Sequence, residues 1–254
     1  MHPVVHIFSH RFLVYDIMTV SGLVFAFAYL FFALNHFGIP KNQIFIYLLI
    51  GLFVQFFGGM VIPFLYQWIY KHQTSWLDVL QKSPGRYFHS VFLSMIFFTL
   101  VFSKVFRWPA KKVLDRFMIA AMVASALGRI GCLMQPCCMG KPTDFFCSIR
   151  FPRHPDIPVH PVQIYMFILE SIIALTLWFL TRKPHRDGEI FWKGLWIYSI
   201  YRFLIEFLRT NPIFIFGLTH AQVFSLLTLG LSIYVLSRKI ALGPISKKSA
   251  EKLR

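Results

Sequence analysis

The chain has 254 residues, 57% of them hydrophobic, with a mean hydropathy of +0.61 and a formal net charge of +16. Its apolar runs are long enough to cross a bilayer, which excludes the soluble classes and implies a polytopic membrane protein. The basic residues fall in short loops between those runs, as membrane insertion selects, and no soluble basic domain is left to bind nucleic acid.

In chain order, apolar spans are predicted at Phe12–Ala33, Ile44–Ile62 with an extension past Pro63, Tyr87–Phe106, Val113–Met134, Val162–Leu180, Ile190–Leu208 and Ala221–Ser237. Each is close to the roughly 20 residues that a helix needs to span hydrocarbon. The expected fold class is all-α: a bundle of about seven transmembrane helices forming one membrane domain over residues 1–254, with a basic tail at 239–254. No internal repeat or low-complexity segment stands out. The first apolar run is too long for the core of a cleavable signal, so none is expected. Alternate loops differ in Lys and Arg content, about fourteen on the side holding Lys104, Arg107, Arg182 and the tail against eight on the side holding Arg86, Lys141 and Arg209. By the positive-inside rule the tail is cytoplasmic and the N-terminus faces outward.

With that orientation, polar residues of several spans gather in the outer half of the bilayer. Arg129 ends the fourth span within Gly128-Arg129-Ile130-Gly131-Cys132. An arginine at mid-bilayer costs roughly 2.5–3.5 kcal/mol even on the lenient scale, so it is usually retained for a partner or a function. Gly128 and Gly131 remove bulk beside it, admitting a headgroup or another backbone. On the sixth span Tyr198, Arg202 and Glu206 recur every four residues with Arg209 close to that stripe, so Arg202 and Glu206 can pair along the helix. Two arginines against that one glutamate leave an excess that a phosphate would balance. His160-Pro161-Val162-Gln163-Ile164-Tyr165 opens the fifth span, with Glu170 seven residues beyond Gln163 on the same face. These residues suit glycerol hydroxyls or the ordering of the arginines.

His89 enters the third span after Pro84-Gly85, where a histidine could serve as general base, and Tyr15 begins the first. Each feature has a structural counterpart: a bundle-internal arginine capping carbonyls, an ion pair that only neutralises itself, a capping His160, an interfacial His89. Cys132, Cys137, Cys138 and Cys147 match no zinc spacing, so no metal is expected there. Facing an oxidising compartment, the last three could form one disulfide or simply pack.

Taken together, these residues resemble the prolipoprotein diacylglyceryl transferase family of bacterial membrane enzymes. The resemblance rests on Gly128-Arg129-Ile130-Gly131 with Gly140 downstream, on His160-Pro161-x-Gln163-x-Tyr165 with Glu170, on Tyr198-x3-Arg202-x3-Glu206-x2-Arg209, and on Tyr15 and His89. It implies transfer of a diacylglyceryl group from phosphatidylglycerol to the lipobox cysteine of a prolipoprotein, with glycerol phosphate released. It further implies that Arg129 and Arg202 hold the developing phosphate charge, that His89 helps deprotonate the acceptor thiol and that Glu206 orients Arg202. Neither cofactor nor metal is implied, and the location is the bacterial cytoplasmic (inner) membrane.

Four positions, at three places in the chain, depart from the family pattern. Cys132 stands where an asparagine is usual, Cys137 where a glutamate is usual, and Ser90-Val91 follow His89 in place of two glycines. The alternative readings are a paralogue using the same donor with another acceptor, and a lipid-binding or transport homologue without catalysis.

Overall fold

In hydrocarbon every backbone N–H and C=O must be satisfied within its own segment, so long apolar runs become helices. The structure is a computed structural model that describes residues 4–7, 10–71, 88–135, 137–152 and 154–241. Among them the helices are α1 (Val14–His36), α2 (Lys41–Lys71), α3 (Phe88–Val105), α4 (Ala110–Met134), α5 (Val162–Leu180), α6 (Glu189–Ile205) and α7 (His220–Ala241). Each predicted span finds its helix, and α2 runs on through Pro63 as expected. Five helices are long and apolar enough to cross a membrane over Val14–His36, Lys41–Met60, Ala110–Met134, Val162–Leu180 and His220–Arg238. The apolar α3 is shorter, and α6 continues into a 3-10 turn at Glu206–Leu208. Large apolar side chains such as Phe97 at 71% and Leu227 at 70% point outward, as lipid-facing residues do.

The sequence reading had no strands, and the structure has two short antiparallel hairpins. β1 (Val4–Ile7) pairs with β2 (His10–Leu13), so Phe12, the predicted start of the first span, is in a strand and the helix begins at Val14. β3 (Ile149–Phe151) pairs with β4 (His154–Val159) in the loop between α4 and α5. The turn at Pro84-Gly85, Tyr87 as a span start, Lys82, Arg86, Arg153, Pro136 and residues 242–254 of the basic tail lie outside the described residues.

The chain packs as two compact units, residues 31–114 and residues 1–30 with 115–254. In the first, α2 lies against α3. Tyr47 is fully buried there, its hydroxyl hydrogen-bonded to Thr99 Oγ1 at 2.8 Å and its ring set among Phe98, Phe102 and Trp108. Trp108 Nε1 donates to Gln43 Oε1 at 2.8 Å, so the buried polar ends of these aromatics are satisfied. A Cβ at Gly58 of α2 would collide with the Ser94 side chain, and Ser90 donates its hydroxyl to the Gly58 carbonyl. The close backbone approach that glycines after His89 would allow is thus supplied from α2.

In the other unit, α4 passes α1 closely enough that a Cβ on Gly22 would sit 2.9 Å from the Ala124 carbonyl. Ser199 of α6 meets Thr228 of α7 at 2.8 Å. The start of α6 is held by a residue of α4: Asp115, 2% exposed, accepts from the backbone N–H groups of Gly188 and Phe191, both at 2.7 Å. A carboxylate suits a helix N-terminus because it accepts from donors that have no partner in the helix and opposes the positive end of its dipole.

Asp115→Ala is expected to cost about 2–4 kcal/mol, since two charge-assisted bonds are lost and two backbone donors are left in a dry interior. Thermal unfolding of the purified protein in detergent measures this. An unchanged midpoint would mean that α6 is not anchored there.

Candidate active site

Within residues 1–30 and 115–254, three elements and the segment after them bring ionisable side chains together. Arg129 of α4 has its Nε 3.5 Å from Glu170 Oε1 of α5, and Tyr201 of α6 donates its hydroxyl to that same oxygen. One helical turn after Arg202, the 3-10 turn supplies Glu206, whose Oε2 takes Arg202 Nη1 and lies 3.6 Å from Arg209 Nε. Its other oxygen accepts from Asn211 Nδ2 at 2.5 Å and Thr219 Oγ1 at 3.0 Å. Tyr198 is within electrostatic reach of Arg202, Glu170 and Arg129, and its ring meets that of Tyr201 edge-on at 5.3 Å. Arg129 and Arg202 in turn feel each other as like charges.

The cluster is desolvated: the Glu170 and Glu206 side chains are 0% and 1% exposed, Arg202 and Arg209 8%, and Arg129 14%. It holds three guanidiniums against two carboxylates, so one positive charge is left over. The sequence reading counted two arginines against Glu206 alone. The structure corrects this by making Glu170 the counter-ion of Arg129 and adding Arg209, which leaves the surplus in place. Several buried polar atoms also lack a hydrogen-bond partner among the described residues: Gln163 Oε1, Glu170 Oε2, Ser125 Oγ and His160 Nδ1. Buried polar atoms are nearly always paired, so a group of them beside a charge surplus marks a place for a polar ligand.

The segment from Cys137 to Thr143 is pinned from two sides. Gly140 bridges to Arg209 and Lys141 N donates to Leu208 O at 2.8 Å, while Pro142 bridges to Val159 and Thr143 N donates to Pro158 O at 3.0 Å. Gln163 Nε2 donates to the Cys137 carbonyl at 2.6 Å, which gives this expected substrate-binding residue a positioning contact. The glycines around Arg129 divide by role. At Gly131 a Cβ would be 3.1–3.2 Å from Tyr15, including its backbone, so this glycine admits the first turn of α1. At Gly140 a Cβ would run into the His160 carbonyl and sit 2.8 Å from Val162 Cγ2, whereas at Gly128 it meets nothing within 4 Å. Bulk is therefore excluded by the protein itself at 131 and 140, and Gly128 leaves open space beside Arg129.

His160 stands between the rings of Phe145 and Tyr165, each 6.2 Å away, and Tyr165 shares a 3.0 Å hydrogen bond with Cys147. His89, 9% exposed, is the second residue of α3 and belongs to the 31–114 unit. The four cysteines are unbridged. The Sγ atoms of Cys132, Cys137 and Cys138 lie within 4.8 Å of one another. The Cys138 thiol is driven below the ordinary thiol range, first by hydrogen bonds from Cys132 and Cys137 and further by the Arg209 and Arg129 guanidiniums, with burial opposing. Cys137 is pushed up by the bonds it shares with the same two thiols.

Tyr201, Asn211 and Thr219 escape a search for residues recurring every four positions. Tyr201 had a usable signal, being three residues from Tyr198 and therefore on the same helical face. Asn211 and Thr219 lie in the aperiodic connection to α7, where nothing in the sequence marks them.

A family model described as prolipoprotein diacylglyceryl transferase matches residues 3–238. A phosphatidylglycerol–prolipoprotein diacylglyceryl transferase of Clostridium tetani is 34% identical over 140 residues, covering 53% of this chain and 56% of that protein. One from Cupriavidus metallidurans is 38% identical over 129 residues, 49% of this chain and 47% of its own. One from Mannheimia succiniciproducens is 30% identical over 158 residues, with 61% and 58% covered. The chain spans about half the length of the curated relatives it matches.

The glycine contacts predict opposite outcomes for two alanine substitutions. Gly140→Ala should unfold or markedly destabilise the protein, because the obstructing atoms include backbone. Gly128→Ala should leave the thermal midpoint unchanged or raise it, since alanine is favoured over glycine in a helix by roughly 0.5–1 kcal/mol. Thermal unfolding in detergent distinguishes the two, and equal effects would refute the division of roles.

Proposed function

Because this chain belongs to the prolipoprotein diacylglyceryl transferase family, we propose that it transfers a diacylglyceryl group from phosphatidylglycerol to the lipobox cysteine thiol of a prolipoprotein, releasing glycerol phosphate. The observation that carries this reading is the unneutralised guanidinium in a cluster almost closed to solvent. A phosphodiester is the anion in a membrane best placed to balance it, and the planar fork of arginine matches phosphate oxygens. As the acceptor sulfur attacks the glycerol carbon, the bond from that carbon to the phosphate oxygen breaks and charge grows on the departing phosphate monoester. Arg129 and Arg202 stabilise that charge, Glu206 and Glu170 keep the two guanidiniums oriented, and Tyr198 and Tyr201 lie beside them. Arg209 adds to the positive field. The unpaired Gln163 Oε1 and His160 Nδ1 suit glycerol hydroxyls. Family likeness alone gives His89 the thiol's proton and lines the headgroup site with Tyr15, Gly128, Gly131, Cys132, Gly140 and Tyr165.

An open apolar groove lined by Leu169, Trp196, Ile200, Tyr201 and Leu204 supports a lipid donor. Tyr201 is common to its wall and to the charged cluster, so an acyl chain lying there would bring its headgroup toward Glu170 and Arg129. The protein is read as residing in the bacterial inner membrane with its N-terminus outward and its tail in the cytoplasm, from the distribution of Lys and Arg. On that reading the cluster lies toward the extracytoplasmic side, where a lipobox would meet it.

The test uses purified protein in vesicles containing radiolabelled phosphatidylglycerol together with a lipobox peptide. Release of glycerol phosphate with labelling of the peptide is expected. Release without labelling would point to another acceptor, and neither would leave only a lipid-binding protein. Arg129→Lys and Arg202→Lys should each lower turnover by at least about 100-fold, because an ammonium keeps the partner carboxylate neutralised but lacks the fork. Normal turnover in either variant removes that residue from the reaction.

A further inference from the structure

Three of the four cysteines sit in the segment where this chain departs from its family, and the fold brings them together. Cys132 is in the last turn of α4, and Cys137 and Cys138 follow in the pinned segment. The three Sγ atoms lie within 4.8 Å of one another. Thiolates around a tetrahedral zinc ion are about 3.8 Å apart for a metal–sulfur bond of about 2.3 Å, so small rotamer changes would bring all three onto one ion. We propose that Cys132, Cys137 and Cys138 bind one Zn2+ ion through their thiolates and leave its fourth position for the cysteine thiol of the acceptor.

Three features of the site support this. The ligand loop is held in place before any ion arrives: Cys137 N donates to Cys132 O at 3.2 Å, Gln163 holds the Cys137 carbonyl, and Gly140 bridges to Arg209. Cys138 adopts a left-handed backbone with φ +59°, a conformation that costs a non-glycine residue of order 1–3 kcal/mol and recurs at ligand clamps. Cys132 and Cys137 are half-buried whereas Cys138 is exposed, so the set is open on one side, as a zinc site that accepts substrate must be. Spacing rules miss the arrangement because they describe ligands from two separate knuckles, and here a helix end and one loop turn supply all three.

The last ligand rests on the transferase reading, whereas the three-cysteine site does not. A thiol that coordinates zinc is deprotonated at neutral pH, its proton passing to water or to a side-chain base. The coordinated sulfur lends its electron pair to form the bond to the glycerol carbon, and the carbon–oxygen bond to phosphate breaks with its pair leaving on glycerol phosphate. No electron is gained or lost by the protein or the metal. The thioether product binds zinc more weakly than the thiolate did, which frees the fourth position for the next acceptor.

Metal analysis of the full-length protein, purified under reducing conditions from zinc-supplemented cells, should find about one zinc ion per chain. Cys132→Ser, Cys137→Ser and Cys138→Ser should each lower that content at least about fivefold, while Cys147→Ser, which touches Tyr165 instead, should not. Copper in place of zinc, or zinc content indifferent to these substitutions, overturns the site. Should the serine variants fail to purify, exchange of the wild-type protein with Co2+ gives a second reading: a thiolate-to-cobalt charge-transfer band is expected, and its absence overturns the site equally. Adding a lipobox peptide should strengthen that band and its serine counterpart should not; a band unmoved by the thiol peptide refutes the open fourth position. Full peptide labelling by zinc-free protein would remove the metal from the reaction and leave the transferase reading standing. One zinc ion per chain with no labelling would do the reverse.

Discussion

Glu206 is the point on which the described site turns. Its two oxygens take Arg202, Arg209, Asn211 and Thr219, four partners drawn from the end of α6 and the connection to α7. A carboxylate 1% exposed could not stay ionised in an apolar interior without such partners, and two arginines could not stay there without it. Removal of one member strands the others as buried, unpaired groups, which makes the cluster cooperative. Because Arg209 also bridges to Gly140, the same carboxylate fixes where the cysteine-bearing segment meets the charged residues.

The second carboxylate works differently. Glu170 is closed to solvent and receives Arg129 and the Tyr201 hydroxyl on one oxygen, while its other oxygen has no partner among the described residues. It is therefore less fully satisfied than Glu206, and Arg129, the most exposed of the three arginines, lies 3.5 Å from it. Arg202 is consequently drawn closely onto its carboxylate, whereas Arg129 stands farther from its own. The open space at Gly128 lies next to Arg129.

Much of this was legible in the sequence because membrane proteins write their helices as long apolar runs. The predicted span Val162–Leu180 coincides with α5, and the four-residue recurrence of Arg202 and Glu206 named the ion pair directly. Glu170 was placed on the right face as well, without its partner being evident, since α4 and α5 meet through tertiary packing that no local pattern encodes. The hairpins escaped notice because each strand is only three to six residues long, too short for alternation to stand out beside apolar helices. Asp115 was hidden for another reason. Inside a predicted span it read as one acid among apolar residues, and its purpose appears only when Gly188 and Phe191 arrive from a distant part of the chain.

The two cysteine departures from the family pattern, Cys132 and Cys137, fall on positions that the fold keeps close to the charged cluster. Cys132 lies on the α4 face three residues from Arg129, and Cys137 is held through its carbonyl by Gln163 of α5. Replacing an amide and a carboxylate with thiols removes a hydrogen-bond donor and a negative charge from the neighbourhood of two arginines. If the thiols stayed neutral, the positive surplus would be larger than with the usual pair of residues. A thiol whose charge can vary offers a way to restore the balance, and the three converge within reach of Arg209 and Arg129. Loss of charge at one position and gain of cysteines at two, beside Cys138, are thus best understood as one coordinated change in how the site manages its positive field.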